Sequence, residues 1–414
     1  MWRGLILERA SLTLAARLAN SFYSRVRFKI MALPALGTSL RWIFRRFVPS
    51  LVGLGWGILR FLFAANRHFG PIRGWYSDLE LLRGNERPGR IILLDQGAPV
   101  VIPESPMVLC QRGQHLQQPF PVFWVRCKRS RLIGPGLAHI NERKQVSIEA
   151  VYGRPYLETD PADKIFIRGE PVRLDGPWTS VISRWVRANQ PQAYAHWLLD
   201  ALPRLAVLKE FPAETRVLVP GQRARYQVES LDMLGLSNRC RWTKETDVEV
   251  EDYYFSSPPS MIVCYSPYTV EAVRRMFLPL IDKTKSTPKR FFVRRTGTVR
   301  NMTNEAEVLR FFEKAGWTIV DLVSLPFAEQ IAWFAGAEAV AGIHGSGLNN
   351  TLWTSRGCKI VELFSDRYIA GDAEWTAQCT GAEYHSLIFP SDQQLNAIVD
   401  LGRVRAMLKS AGLS

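Results

Sequence analysis

Residues 339–353 read AVAGIHGSGLNNTLW. Ala339–Ile343 is a short apolar run of the kind that fills a buried strand. His344-Gly345-Ser346-Gly347 interrupts it, and the apolar pattern resumes at Leu348. Glycines cost backbone entropy and contribute no side-chain packing, so the interruption needs a reason. In open α/β sheets, ligands lie just outside the carboxyl ends of the strands. The first N–H groups of a following helix can point at an anion there, favoured by the helix dipole. The stretch therefore has the properties of a diphosphate-binding loop, with His344 as an added donor. The alternative is a tight strand-to-helix turn with a surface histidine. The loop is neither GxGxxG nor GxxxxGK[ST].

The flanking sequence supplies the rest of a Rossmann-like half. RFFVRR (290–295) reads as a strand. Asn304, with Glu307 three residues on, fits a capping box, and Gly316 closes that helix. TIVDL (318–322) is the next strand, and Pro326 opens a helix, FAEQIAWFA, that Gly336 ends. KIVELF (359–364) is the fourth strand, counting AVAGI as the third. The C-terminal SDQQLNAIVDLGRVRAMLKS (391–410) reads as one amphipathic helix with Ser391 as its cap. KTKSTPKR (283–290) has the composition of a linker.

Upstream, VISRWV (181–186) reads as a strand, AYAHWLLDALPRLAVLKE (193–210) as a helix, RVLVP (216–220) as a strand and QRARYQVESLDMLG (222–235) as a helix. After a less clear stretch comes a helix, TVEAVRRMFLPLIDK (269–283). Alternating strands and helices predict a parallel sheet. Short β-like runs between Gly70 and Gly153 predict a β-rich start. The expected organisation is an N-terminal arm (1–67), an acceptor-side domain (68–283), a donor domain (284–390) and a C-terminal helix (391–414).

The net charge of +15 is uneven, since residues 1–90 carry 15 Lys and Arg against 4 Asp and Glu. Basicity thus belongs to the arm and points to an anionic membrane surface. No helix-turn-helix, zinc-finger or RNA-binding signature accompanies it, which argues against nucleic acid. The first 30 residues are weakly amphipathic, like a transit peptide or a surface-lying helix. The uncharged run Phe47–Leu59 has 13 residues, short of the roughly 20 that a span needs. An in-plane or re-entrant anchor is expected. The six cysteines, at 110, 127, 240, 264, 358 and 379, form no zinc-spaced cluster. They read as free thiols of a reducing compartment, with Cys264 and Cys358 in the core.

HGSGLNN resembles the HGAGLTN loop of glycosyltransferase family 61, the bacterial capsular polysaccharide biosynthesis type. AYAHWLLDALPRL (193–205), FVRRTGTVRNMTNE (292–305), LPFAEQIAWFAGAEAVAGIHG (325–345) and KIVELF are similar to that family's further blocks, in the same order. Ser346 stands where alanine is usual and Asn349 where threonine is. Ala193 and Ala195 replace larger neighbours of the histidine.

The resemblance implies an α/β, GT-B-like architecture, with two Rossmann-like domains facing a cleft, to which the basic arm would add membrane association. It implies inverting transfer from a nucleotide sugar, most simply UDP-linked, to a polysaccharide or lipid-linked glycan. Inversion needs a general base and groups that stabilise the departing diphosphate. His196 and Asp200, one helical turn apart, are the expected base and its orienter, in either order. Arg204 could pair with Asp200. Arg294, Arg300, His344 and the Gly345, Ser346 and Gly347 backbone are expected on the diphosphate, and Arg295 could exchange roles with Arg294. Glu362 could accept from ribose hydroxyls. Glu329 and Gln330 could touch nucleotide, and Asn349 and Asn350 could cap the helix after the loop. Pro203 should bend or restart its helix. No DxD segment occurs, so no metal and no cofactor beyond the donor are expected. His68, His115, His139 and His385 show no partner in sequence. The expected location is cytoplasmic, on the inner face of the membrane. A non-catalytic nucleotide-sugar-binding or scaffold subunit is the competing reading. An oxidoreductase is disfavoured by the missing GxGxxG.

Overall fold

The computed structural model describes residues 69–71, 74–93, 122–134, 136–141, 145–150, 166–168, 170–183, 186, 190–258, 260–261, 264–265, 267–297 and 300–413. The N-terminal arm and its expected anchor lie outside these residues. Among the described residues no helix is long and apolar enough to cross a membrane.

The chain divides into two compact units. In the smaller, Phe69–Pro71 pairs antiparallel with Phe166–Arg168. The larger contains two sheets. Seven strands of the first, mixed sheet are β1 (Gly89–Leu93), β2 (Val122–Ile133), β3 (Ala138–Ile140), β4 (Val172–Ser180), β5 (Arg216–Pro220), β6 (Cys240–Thr243) and β7 (Asp247–Ser256). Four of them, in the order β6-β5-β4-β7, are parallel. β2 adds antiparallel to β7, and β1 and β3 pair with opposite ends of β2's other edge. The β-rich start is thus the antiparallel extension of a parallel quartet.

The second sheet holds β8 (Arg290–Val293), β9 (Thr318–Val320), β10 (Ala339–Ile343), β11 (Lys359–Ser365) and β12 (Glu383–Phe389). All are parallel, in the order β9-β8-β10-β11-β12. In chain order that is 2-1-3-4-5. The strand direction of travel therefore reverses between β8 and β10, and such a switch point opens a crevice at the carboxyl edge.

Four expectations need correction, while the bend expected at Pro203 is present. The strand before the first long helix is β4, and Val181–Ser183 follows it without regular structure. Gly176 and Pro177 disguise β4 as a turn. They form a bulge, with Gly176 at φ +77° and a register shift on β7 between Val250 and Asp252. Buried Gln192 then fixes the exit, accepting from Ser183 N (2.6 Å) and donating to Val181 O (3.1 Å). The long helix is broken as Pro203 requires, since proline offers no N–H to the Leu199 carbonyl and crowds it. The chain runs Tyr194–His196 as α-helix, Trp197–Ala201 as a π turn and Leu202–Glu210 as a 3₁₀ helix. β12 is a fifth strand that the sequence reading did not identify. The C-terminal helix is confined to Leu401–Ser410, capped by Asp400 rather than Ser391. Asp392 instead turns the chain by accepting from the Gln394 and Asn396 amides at 2.8 Å each. Asn304 makes no cap; its amide bonds Val399 O (2.9 Å) and N (3.2 Å) and ties down that C-terminal segment. Gly316, at φ +80°, does close the helix Glu305–Lys314.

One hydrophobic core joins the sheets. Trp197, Leu199, Phe277, Phe291, Phe327 and Trp353 all belong to it. Across it Glu229, on the helix Arg225–Met233, accepts from the Phe327 amide at 2.6 Å. That bond satisfies an orphan donor of the helix Phe327–Gly336. Cys127, Cys240, Cys358 and Cys379 form no disulfide, and Cys358 is buried in the core as expected.

Candidate functional site

The carboxyl edge of the second sheet gathers the loop residues. β10 ends at Ile343 because its five residues are fully buried and the next, His344, carries a polar ring. His344 Nδ1 lies 2.7 Å from Glu362 Oε1 on the neighbouring strand. The other Glu362 oxygen accepts from the Tyr384 hydroxyl on β12. Glu362 is fully buried and His344 nearly so. Both carboxylate oxygens thus go to protein donors, and the residue holds His344. The imidazole stacks on Phe364 (4.8 Å between centroids) and leans on Tyr368 (5.5 Å). A partner on Nδ1 fixes the tautomer and directs Nε2 elsewhere.

Gly345 is extended (φ 169°), a conformation open to any residue. The constraint is space. A Cβ there would stand 2.1 Å from Arg295 Nη1. Arg295 leaves the end of β8 and reaches the His344 carbonyl (3.4 Å). Its guanidinium is held below its ordinary pKa by burial and then by the charge of Arg300 beside it. Arg300 sits at φ +60°, with its guanidinium 4.2 Å above the Tyr368 ring. The two guanidiniums thus lie near each other at the sheet switch point, where open α/β sheets bind their ligands. Arg294 points elsewhere. It pairs with Glu305 through Nε (2.9 Å) and Nη2 (3.2 Å) and is exposed.

The loop runs into a 3₁₀ helix, Ser346–Trp353, whose leading amides lack intrahelical partners. Ser346 is exposed. A Cβ at Gly347 would stand 3.1 Å from Leu322 Cδ1 and 3.3 Å from Val293 Cγ1, so a larger residue would crowd these side chains. Asn350 anchors it from behind, donating to Gly347 O at 3.0 Å. Its Oδ1 receives Trp353 Nε1 (3.0 Å) and the Tyr194 hydroxyl (2.8 Å). Tyr194 also lies 2.9 Å from Gln330 Oε1, while Gln330 Nε2 donates to Leu322 and Leu325 carbonyls. Gln330 and Asn350 therefore brace the loop. Asn349 is buried, and Glu329 stands 3.9 Å from Lys285.

Tyr194 begins the broken helix, so the brace brings in the other histidine. His196 Nδ1 lies 2.8 Å from Asp200 Oδ2. The Asp200 side chain is 4% exposed and that of His196 23%. The pair follows β4, whose carboxyl end is the switch point of the parallel quartet. The π turn places Asp200 on this face, a common use of such turns. Arg204 Nη1 donates to Ser256 O at the end of β7 (2.6 Å).

Sequence reasoning missed Tyr194, Tyr368 and Tyr384. Tyr194 lay inside the quoted segment two residues before His196. Tyr384 lies on the missed strand and gave no signal. The arrangement offers one accessible imidazole oriented by a carboxylate, and a cationic loop with a second. Tyr194 and Asn350 link the two. Residues 194–361 match the protein-family model described as Glycosyltransferase 61. No curated protein matches the chain.

Proposed function

We propose, from the match of residues 194–361 to the Glycosyltransferase 61 model, that the chain is an inverting glycosyltransferase using a UDP-linked sugar. The observation that carries this reading is the pairing of Arg295 and Arg300 at the β8/β10 switch point, against the His344–Gly347 backbone. These groups offset the charge of the departing diphosphate in a pre-set geometry. His196, oriented through Nδ1 by Asp200, takes the acceptor hydroxyl proton on Nε2. Arg294 pairs with Glu305 and takes no part in binding the diphosphate. The diphosphate's charge is met by guanidinium, imidazole and amide groups, so transfer proceeds without a catalytic metal. The two sheets act as the two halves of a GT-B enzyme, and the basic arm holds the cleft near a lipid-linked or polysaccharide acceptor on the inner membrane face, for a capsular or other surface polysaccharide.

The test is donor turnover by the full chain with a panel of nucleotide sugars, beside His196→Ala and Asp200→Asn. Turnover abolished in His196→Ala, with nucleotide still bound, supports the enzyme. Nucleotide binding without turnover in wild type, unaffected by either change, establishes the scaffold reading instead.

A further inference from the structure

A second polar cluster lies in the first sheet, remote in sequence from the loop. Its helix, Asp78–Arg83, starts at a Ser77 cap, and Glu149 accepts from the Asp78 amide (3.0 Å), locking its first residue. Asp78 is fully buried there, with Cys127 from β2 (3% exposed) and His139 from β3 (1%). Alternation along β2 turns Phe123, Val125 and Cys127 inward, and cross-strand pairing sets His139 opposite Leu132.

The three side chains converge. His139 Nε2 lies 3.0 Å from Asp78 Oδ2 and 4.0 Å from Cys127 Sγ. One ligand atom from each lies within 4.8 Å of the others. Asp78 Oδ2 is buried, and its partner is the His139 ring that it faces. Arg87 Nη1 orients two members from outside, donating to Asp78 Oδ1 (2.5 Å) and Cys127 Sγ (2.9 Å). Tyr76, Tyr253 and Phe255 edge the imidazole.

We propose that Asp78, Cys127 and His139 bind one divalent transition-metal ion, through Oδ2, Sγ and Nε2. Mixed sulfur, nitrogen and oxygen donors suit zinc and its chemical neighbours. Three protein ligands leave one position for water. On entry the ion displaces the Nε2 proton of His139 and the thiol proton of Cys127, so the cluster's formal charge is unchanged. Arg87 then serves as the outer partner that fixes the carboxylate and thiolate. The ion would fasten the helix to β2 and β3 and has no part in sugar transfer.

The test is metal analysis of the full chain purified without chelator, followed by Co²⁺ titration of the chelated protein. About one ion per chain and a sulfur-to-cobalt charge-transfer band are expected. That band should vanish in Cys127→Ser, and the ligand-field bands should weaken in His139→Gln. A folded wild-type chain that retains no metal and gives no cobalt bands overturns the proposal and leaves a metal-free ion pair. A charge-transfer band undiminished in Cys127→Ser overturns it too, because the sulfur is then another cysteine.

Discussion

Two histidine–carboxylate pairs, His196–Asp200 and His344–Glu362, stand in the candidate site, and they differ in how they are built. His196 and Asp200 are four residues apart on one broken helix, with the imidazole partly exposed. His344 and Glu362 are brought together by adjacent strands, and both are almost wholly buried. Phe364 and Tyr368 pack against the His344 ring. The same two groups thus serve different ends. An accessible imidazole with a buried orienter suits proton transfer. A buried imidazole clamped by strand register and an aromatic stack suits a fixed dipole or charge facing an anion. Tyr194, on the helix of the first pair, touches Asn350, which carries the loop of the second.

The sharpest way to break this contrast is His196→Ala. Loss of a positioned general base should cost about 10²–10⁴ in turnover, with nucleotide affinity unchanged by calorimetry. A parallel loss of affinity would erase the distinction between the pairs. His344→Ala should do the reverse, weakening nucleotide binding about tenfold or more. It also leaves buried Glu362 short of one partner, for about 1–3 kcal/mol of stability measurable by denaturant unfolding. Next comes Gly345→Ala, which must push the Arg295 guanidinium aside. A several-fold weaker nucleotide Kd with an unchanged melting temperature is expected. The smallest effect should follow Arg294→Ala. Its exposed pair with Glu305 contributes about 0–1 kcal/mol, and nucleotide affinity should stay within experimental scatter.

Legibility followed the same local-versus-distant divide. His196–Asp200 was readable because helical spacing puts i and i+4 on one face, and Pro203 announced the break. The loop and four of the five strands of the second sheet were readable from apolar runs between punctuating glycines and prolines. Glu362 was found, but no spacing rule reveals that β10 and β11 align His344 beside it. Arg294 and Arg295 are adjacent, and only the strand end and Glu305 decide which guanidinium reaches the loop. β4 hid behind a Gly-Pro bulge, and β12, EYHSLIF, carries polar residues that suppress its alternation. The Asp78, Cys127 and His139 cluster is the extreme case, with one residue on a helix and two on separate strands.

The most direct test of the central claim is titration calorimetry of the full chain with UDP, GDP and CMP, without added divalent ion, beside Arg295→Ala. The account predicts micromolar binding of UDP over the others, weakened at least tenfold in the variant (about 1.4 kcal/mol). Absence of binding by a folded wild-type chain, or equal binding by Arg295→Ala, would contradict the diphosphate role of the β8/β10 crevice.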